Sequence, residues 1–540
     1  MLRTKALLAA IGAALTLTTL GCSANSSDNT PATTAGGSSA ASPAASSAAA
    51  SSAAPAELNM LISKASTHGD YDTMLVWQEY EKISGIHINW NAVPDSDFAE
   101  KRNILLAGGS LPDAIFRAQL SNADLAARGG DGTFIPLNDL IDQYAPNFKK
   151  LMEDHPDVKK AITQADGNIY SLPYYSEFQS ANYGYKMFAN QVWMDKLGAK
   201  LPTTTDEFYD LLVAFKNGDS NGNGVADEIP LTAPGISAIV DSLKGFWGLG
   251  TRGGLVHPWV DIDESTGSLR FTPTDERYKS LLEYIAKLYK EKLLDPEIFT
   301  MDNAKLTAKG EANTVGAFVF ANPVPIGNTH KNDYTGMNAL KGPYGDQLIA
   351  AVNPLVRASG AFVITSADKY PEATMKWVDY WYSDEGSRLY LMGVEGKTYT
   401  KGADGTYQYV DEITNNPNGL TLDEAAGQYL AWPGGSFPGI QSSAYTKSGS
   451  SFPSAVAATE LVKDHFPTEV WPEFTYTQEE TDLLSSVGND ISTYIGEMRV
   501  KFITGEVPFT DWDKYVSTLN KMGLSQYMDA YSQAYERYSN

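Results

Sequence analysis

Short apolar runs alternate with helical stripes along most of this chain, and that alternation leaves few architectures open. Leu58-Asn59-Met60-Leu61-Ile62 reads as a strand, and Leu75, Val76, Tyr80 and Ile83 follow at helical spacing up to a stop at Gly85. Ile86 to Trp90 alternates as a second strand, a helix runs through Ala99 to Ala107, and Leu111 to Phe116 is strand-like again. Strands separated by helices pair in parallel, and ligands then collect at the carboxyl ends of those strands. The fold class is therefore α/β. Further along, Thr204 and Glu207 are spaced as a capping box ahead of the stripe Phe208, Leu211, Leu212 and Phe215. Tyr278, Leu281, Leu282, Ile285 and Tyr289 mark another helix, while Val315 to Phe320 and Ala361 to Ile364 read as buried strands. A helix from Pro371 places Ala373, Trp377 and Trp381 on one side, and the chain beyond residue 475 is mainly helical. At 540 residues the chain exceeds one compact core, so two or more lobes are expected.

The amino terminus reads as a targeting signal. Arg3 and Lys5 precede an apolar stretch, Ala6 to Leu20, that is short for a membrane span. It ends in Thr19-Leu20-Gly21-Cys22, which resembles a bacterial lipobox, although Thr19 and Leu20 stand where Leu and a small residue are usual. Cys22 is the only cysteine and has no disulfide partner in the chain. Residues 1–22 are thus expected to be a lipoprotein signal peptide ending at an acylated, palmitate-bearing Cys22. Residues 23–56, almost entirely Ser, Ala, Thr, Gly, Asn and Pro, form an expected disordered tether. The expected location is extracytoplasmic, lipid-anchored to the bacterial cell membrane. A net charge of -24 argues against nucleic acid as a partner and against a polybasic membrane contact.

One segment carries sharp chemistry. Asp219-Ser220-Asn221-Gly222-Asn223-Gly224-Val225-Ala226-Asp227-Glu228 reads as a calcium loop. It has oxygen side chains at positions one, three and five, a turn-making Gly224 at six and the Val225 carbonyl at seven. Asp227 and Glu228 fall at nine and ten, and Pro230 stands where a regular EF-hand has its bidentate Glu.

Several short motifs occur in order: Gly109 to Asp113, Asp166 to Tyr174, Asn190 to Trp193 with Lys196-Leu197-Gly198, Asp219 to Pro230, Gly393 to Gly396, and Phe502 to Glu506. In them the chain resembles the family 1 extracellular solute-binding proteins, especially the long branch that includes alginate-oligosaccharide-binding proteins and Gram-positive lipoproteins. The resemblance implies a periplasmic-binding-protein-like fold of type II, with two α/β lobes joined by a hinge around a ligand cleft. The N-terminal lobe would comprise 57–173 and 357–400, and the C-terminal lobe 174–356 and 401–540. Crossings would lie near Tyr174 to Tyr185 and Val352 to Gly360. The implied function is capture of an oligosaccharide by cleft closure and delivery to the permease subunits of an ABC transporter, by a monomer that performs no catalysis. The calcium site of the alginate-binding relatives is matched position by position, which implies a structural Ca2+ held by Asp219, Asn221, Asn223, Asp227, Glu228 and the carbonyl of Val225.

A pyranose has an apolar face and a polar rim, so its sites combine aromatic platforms with polar groups. Candidates in Gly/Pro-flanked contexts are Trp247, Trp259 and Trp432, with Tyr174 and Tyr175 at the hinge and Arg357 near the return crossing; core packing or an exposed loop is an equal alternative for each. Trp77, Trp193, Trp377 and Trp381 sit in helical patterns and belong to the core. Gly248 to Gly253 matches G-x-G-x-x-G but lacks a preceding strand, so it reads as a flexible loop. The histidines at 68, 87, 155, 257, 330 and 465 form no helical metal pair, and no G-x-S-x-G elbow occurs. Two rivals stay open: a lipid-anchored glycoside hydrolase, needing only two opposed carboxylates among 65 acidic residues, and a lipid-anchored adhesin or sensor partner.

Overall fold

The computed structural model describes residues 57–432 and 435–539, so the signal peptide, Cys22 and the tether lie outside the described residues. The strands are β1 (Glu57–Lys64), β2 (His87–Pro94), β3 (Ala114–Leu120), β4 (Leu172–Ser176), β5 (Lys186–Asn190), β6 (Ile229–Thr232), β7 (Val260–Asp263) and β8 (Ser268–Phe271). There follow β9 (Val315–Phe320), β10 (Tyr334–Gly336), β11 (Val356–Ile364), β12 (Tyr399–Lys401), β13 (Tyr407–Tyr409) and β14 (Gly439–Gln441). One sheet has the order β14-β4-β11-β3-β1-β2 and a second β10-β5-β9-β6; β7-β8 and β12-β13 are hairpins. Each large sheet defines a lobe, giving the mixed α/β, type II arrangement of two lobes.

The first three helices show why the first sheet forms. Helices α1 (Leu75–Ser84), α2 (Asp95–Gly108) and α3 (Asn122–Gly130) each follow a strand of the parallel trio β2-β1-β3. Gly85 ends α1 at φ 70°, a conformation open to glycine without a Cβ penalty. Val76, Trp77 and Tyr80 of α1 pack on one face of the sheet with Met60 and Ile62. Phe98 and Leu106 of α2 and Leu125 of α3 pack on the other, with Leu61. Trp77, Trp377 and Trp381 interlock in the first lobe and Trp193 is enclosed in the second, so all four fill cores. The stripe Phe208, Leu211, Leu212 and Phe215 is buried on the helix Thr205–Asn217. Its cap is only half a box: Thr204 Oγ1 accepts from the Glu207 N–H, whereas the Glu207 carboxylate accepts from Thr203.

The chain passes between the sheets three times: between β4 and β5, between β10 and β11, and after β14. The first two passages pair with each other, Tyr183 bridging Val352 while the Gly184 N–H donates to Ala351 O at 2.9 Å. The third moves the expected lobe boundary at 400/401. Tyr409, Ile413, Leu430, Phe437 and Tyr445 all pack in the core of the first lobe, because β14 extends the first sheet, Gly439 pairing with Tyr174. Only the chain after that strand returns to the second lobe, where Val462, Trp471, Ile491 and Trp512 join its core. Gly248 to Gly253 is also firmer than a flexible loop, since the carboxylate of Asp261 accepts from the N–H groups of Gly250 and Thr251.

Candidate functional site

In an open α/β sheet the crevice lies where successive connections leave adjacent strands for opposite faces. Here that point falls between β1 and β3. The chain after β1 runs to the α1 face, and the chain after β3 runs to the α3 face. A polar cluster occupies this crevice. Ser63 at the end of β1 is fully buried, its hydroxyl hydrogen-bonds the Asp95 carboxylate at the start of α2, and Gln119 Nε2 donates to it at 2.9 Å. Tyr71 OH donates to the Ser63 carbonyl at 3.4 Å and meets His68 Nδ1 at 2.8 Å. Burial pushes the Tyr71 phenol up to about 12, with the Arg117 guanidinium beside it acting in the opposite sense. Asp95 and Gln119 are exposed, so an acceptor and an amide face solvent from a buried base.

The end of β3 is conformationally unusual. Arg117 and Gln119 have φ of 54° and 52°, values that side chains with a Cβ rarely adopt. Arg102 of α2 holds this stretch by donating to the carbonyls of Ala118, at 2.8 Å, and Gln119. Strain of this kind needs surrounding structure to enforce it and gathers where side chains must be aimed. No sequence signal marks it.

A second concavity of about 440 Å3 lies beside the crossings, lined by Glu177, Gln179, Ser180, Thr446, Lys447 and Thr459. Burial raises the Glu177 carboxyl above the usual range and lowers the Lys447 ammonium. Its lining comes from the first and third crossings and from the helix Pro453–Val462, so unlike the first-lobe cluster it lies where the chain passes between the lobes.

The residues expected to meet ligand divide. Trp247 is 1% exposed in the core of the second lobe, its Nε1 donating to Ser280 Oγ at 3.2 Å; its Gly flanks mark a tight turn over the core, not a platform. Tyr175 is likewise enclosed, its ring against His155 in the first lobe. Tyr174 is buried and donates to Gln441 Oε1 at 2.5 Å, which braces β4 to β14. Trp432 is buried next to Phe437, while its indole N–H has no protein acceptor. Trp259 is half-buried at the foot of β7. Arg357 is exposed, tied through Nη1 to Ala181 O and Asn182 Oδ1 of the first crossing, with further N–H groups unused by those bonds. Ser63, Asp95, Arg117 and Gln119 were not singled out by motif; the rule that ligands gather at strand ends, applied to β1, β2 and β3, finds them.

The 219–228 loop has the internal order of an oxygen cage. Gly224 N–H donates to Asp219 Oδ1 at 3.1 Å, Asn223 N–H to Asn221 Oδ1 at 3.0 Å and Val225 N–H to Asn223 Oδ1 at 2.7 Å. Asn221 and Asn223 turn their amides on Asp227, and Glu228 Oε1 is buried with no hydrogen-bond partner. Among the described residues no group of three His, Cys, Asp or Glu side chains is gathered as metal ligands. Two of the five side chains here are amides, whose O and N positions are interchangeable by rotation. An orphaned buried carboxylate oxygen beside four further oxygen donors fits a hard divalent cation.

With this geometry in place, sequence comparison decides the family: residues 65–388 match the family model of the bacterial extracellular solute-binding proteins. The chain belongs to that family. This solute-binding protein is 32% identical over 501 residues to the fructooligosaccharide ABC transporter substrate-binding protein FusA of Streptococcus pneumoniae, covering 89% of this chain and 90% of that one. A solved structure of an EF-hand mutant of FusA with fructo-nystose superposes with a TM-score of 0.71 at 28% identity, over 89% of this chain and 99% of that one. An extracellular solute-binding protein of Bifidobacterium longum subsp. infantis shares the fold with a TM-score of 0.74 at 23% identity, covering 90% and 98%. As a family member the solute-binding protein acts outside the cytoplasm. Among its described residues no helix is long and apolar enough to cross a membrane.

Proposed function

We propose that this solute-binding protein captures a neutral oligosaccharide between its lobes and hands it unaltered to the permease of an ABC importer. The observation that carries this is the buried-base polar cluster of Ser63, Asp95 and Gln119 at the β1–β3 crevice, which suits sugar hydroxyls. The exposed Asp95 carboxylate favours hydroxyl donors over an anionic sugar. Trp432, Trp259, Tyr174 and Arg357 remain proposed ligand contacts, and the protein is proposed to act as a monomer anchored through lipidated Cys22. A thermal-shift panel tests this. Kestose-type fructooligosaccharides are expected to raise the melting temperature by several degrees, since ligand at 100 times its Kd adds about 2.7 kcal/mol. The saccharide should be recovered uncleaved. If no saccharide shifts the melt, the oligosaccharide reading fails; if cleaved product appears, the hydrolase reading replaces it. Asp95→Ala and Gln119→Ala should each weaken saccharide binding by about tenfold in calorimetry, the equivalent of one or two lost hydrogen bonds.

Calcium belongs to the same proposal as a structural ion, held by Asp219, Asn221, Asn223, Asp227, Glu228 and the Val225 carbonyl. When bound, the ion would supply only the positive charge that draws these oxygens together. Lys196 already helps position the loop, donating to Asp219 O at 2.6 Å. Chelator should lower the melting temperature of the wild type by a few degrees and leave Asp219→Ala, already lowered, unmoved. Equal chelator sensitivity in both would remove this loop as the site.

A further inference from the structure

Asn122, the first residue of α3, is 2% exposed, and its side chain is shared between the lobes. Its Oδ1 accepts from Ser359 Oγ of β11 at 2.6 Å, while its Nδ2 donates to the carbonyls of Glu473 and Phe474 at 3.2 Å each. Those carbonyls belong to the second lobe, where Trp471 and Phe474 are core residues. They are fixed there from behind. The Trp471 N–H donates to Arg252 O at 2.9 Å, and the carbonyl of Pro472 accepts from His257 Nε2 at 2.7 Å. Burial lowers the His257 imidazole to about 4, so the ring is neutral; its Nε2 carries the proton given to Pro472 O, and its Nδ1 accepts from Tyr531 OH at 2.6 Å. On the other side Ser359 is fixed as well, its carbonyl accepting from Ser171 Oγ at 2.9 Å, where the register of β11 is irregular. Both ends of the link are clamped in separate cores.

We propose that Asn122 is the latch of the closed cleft. The three chain crossings are covalent and bend; the Asn122 bonds are a buried side-chain connection, distinct from the exposed bond of Lys160 Nζ to Ser539 O, and have to part when the lobes separate. The latch stands at the end of β3, one strand beyond the crossing strand β11 and about 4.8 Å further towards the crevice. At that lever arm even a modest rotation of one lobe carries 3.2 Å contacts beyond hydrogen-bonding reach. Asn122 is three residues from Gln119, so the latch closes on the wall that carries the proposed ligand cluster. Apparent affinity is the intrinsic affinity multiplied by the closed fraction, so the latch sets how tightly a given saccharide is held.

This proposal rests on the binding reading above, and its test separates the two. Asn122→Ala is compared with the wild type by small-angle scattering without ligand, and by calorimetry and stopped-flow with kestose or the saccharide giving the largest thermal shift. The expected results are a larger radius of gyration in the ligand-free variant, a Kd raised about tenfold, and most of that change in the dissociation rate. Ser359→Ala, which leaves Asn122 in place but unbraced, should move all three in the same direction by less and guards against misfolding of the first variant. An unchanged radius of gyration overturns the latch, as does unchanged or tighter binding. Should the wild type bind no saccharide, the oligosaccharide reading falls while the scattering comparison still decides the latch.

Discussion

Replacing Asp261 with alanine is expected to cost about 3 kcal/mol of stability, because it removes the fully buried carboxylate paired with the largely buried Arg270. Asp261 is 0% exposed and accepts from Arg270 Nε at 2.9 Å and Nη2 at 2.8 Å, and from the Gly250 N–H at 2.6 Å. Its removal leaves the Arg270 guanidinium with Asp275 and the Gly248 carbonyl as remaining partners, and leaves two buried backbone N–H groups without acceptors. The loop it pins reaches the crossings, where the Gly254 N–H donates to Ala350 O at 2.6 Å, so saccharide binding should weaken along with stability. Urea denaturation reads the loss. Asp261→Ala with Arg270→Met should recover a substantial part of it, since the uncompensated charge is gone. A single-variant loss under about 1 kcal/mol would show the pair to be replaceable by water and would sink the argument.

Lys186 should make stability rise with pH above neutrality, in a range where most of the carboxylates have finished titrating. It opens β5, is 0% exposed, and donates only to the carbonyls of Ser180 and Tyr183, both at 2.7 Å, with the Tyr183 ring beside it. Burial lowers its ammonium to about 7. An unfolded lysine holds its proton to about 10.4, so between those values the unfolded chain binds more protons than the folded one. Stability therefore climbs as pH rises from 7 towards 10, and the penalty of burying the charge is felt in full below 7. The climb amounts to as much as about 4 kcal/mol, less whatever the two carbonyls contribute by favouring the ammonium. Denaturation curves of the wild type and Lys186→Met, subtracted at each pH, isolate this group, because the variant has nothing to titrate at position 186. A flat difference between pH 6 and 10 would mean that the lysine keeps its ordinary affinity for protons.

Periodicity made the elements legible and left the site obscure, for separable reasons. The runs at Leu58, Val315 and Ala361 are strands because burial on both faces demands near-continuous apolarity, whereas the alternation after Ile86 belongs to the edge strand β2 with one face exposed. The lobe boundary was missed because β14 is three residues long and carries no such run; it becomes a strand only by adding to β4. Aromatic residues with Gly or Pro neighbours were an unreliable guide. Trp247 and Trp259 share that context, yet one is enclosed and the other half-buried, since flanking residues report a turn and not which way the ring points. Ser63, Asp95 and Gln119 are single polar residues distant in sequence, brought together by the parallel pairing of β1 with β2 and β3. The calcium loop was the opposite case, because all of its proposed ligands lie within ten consecutive residues.

The threefold passage between sheets has a consequence for how such a chain reaches its native state. The first sheet is incomplete until β14 has been made, and the second lobe's core waits for Trp512, Leu519 and Tyr531 near the carboxyl terminus. Neither half can finish early during synthesis, and contacts spanning hundreds of residues close slowly. A polypeptide whose native lobes close only when its last elements are made lacks a stable fold until late, which suits a translocation pore that passes cargo folding on the far side.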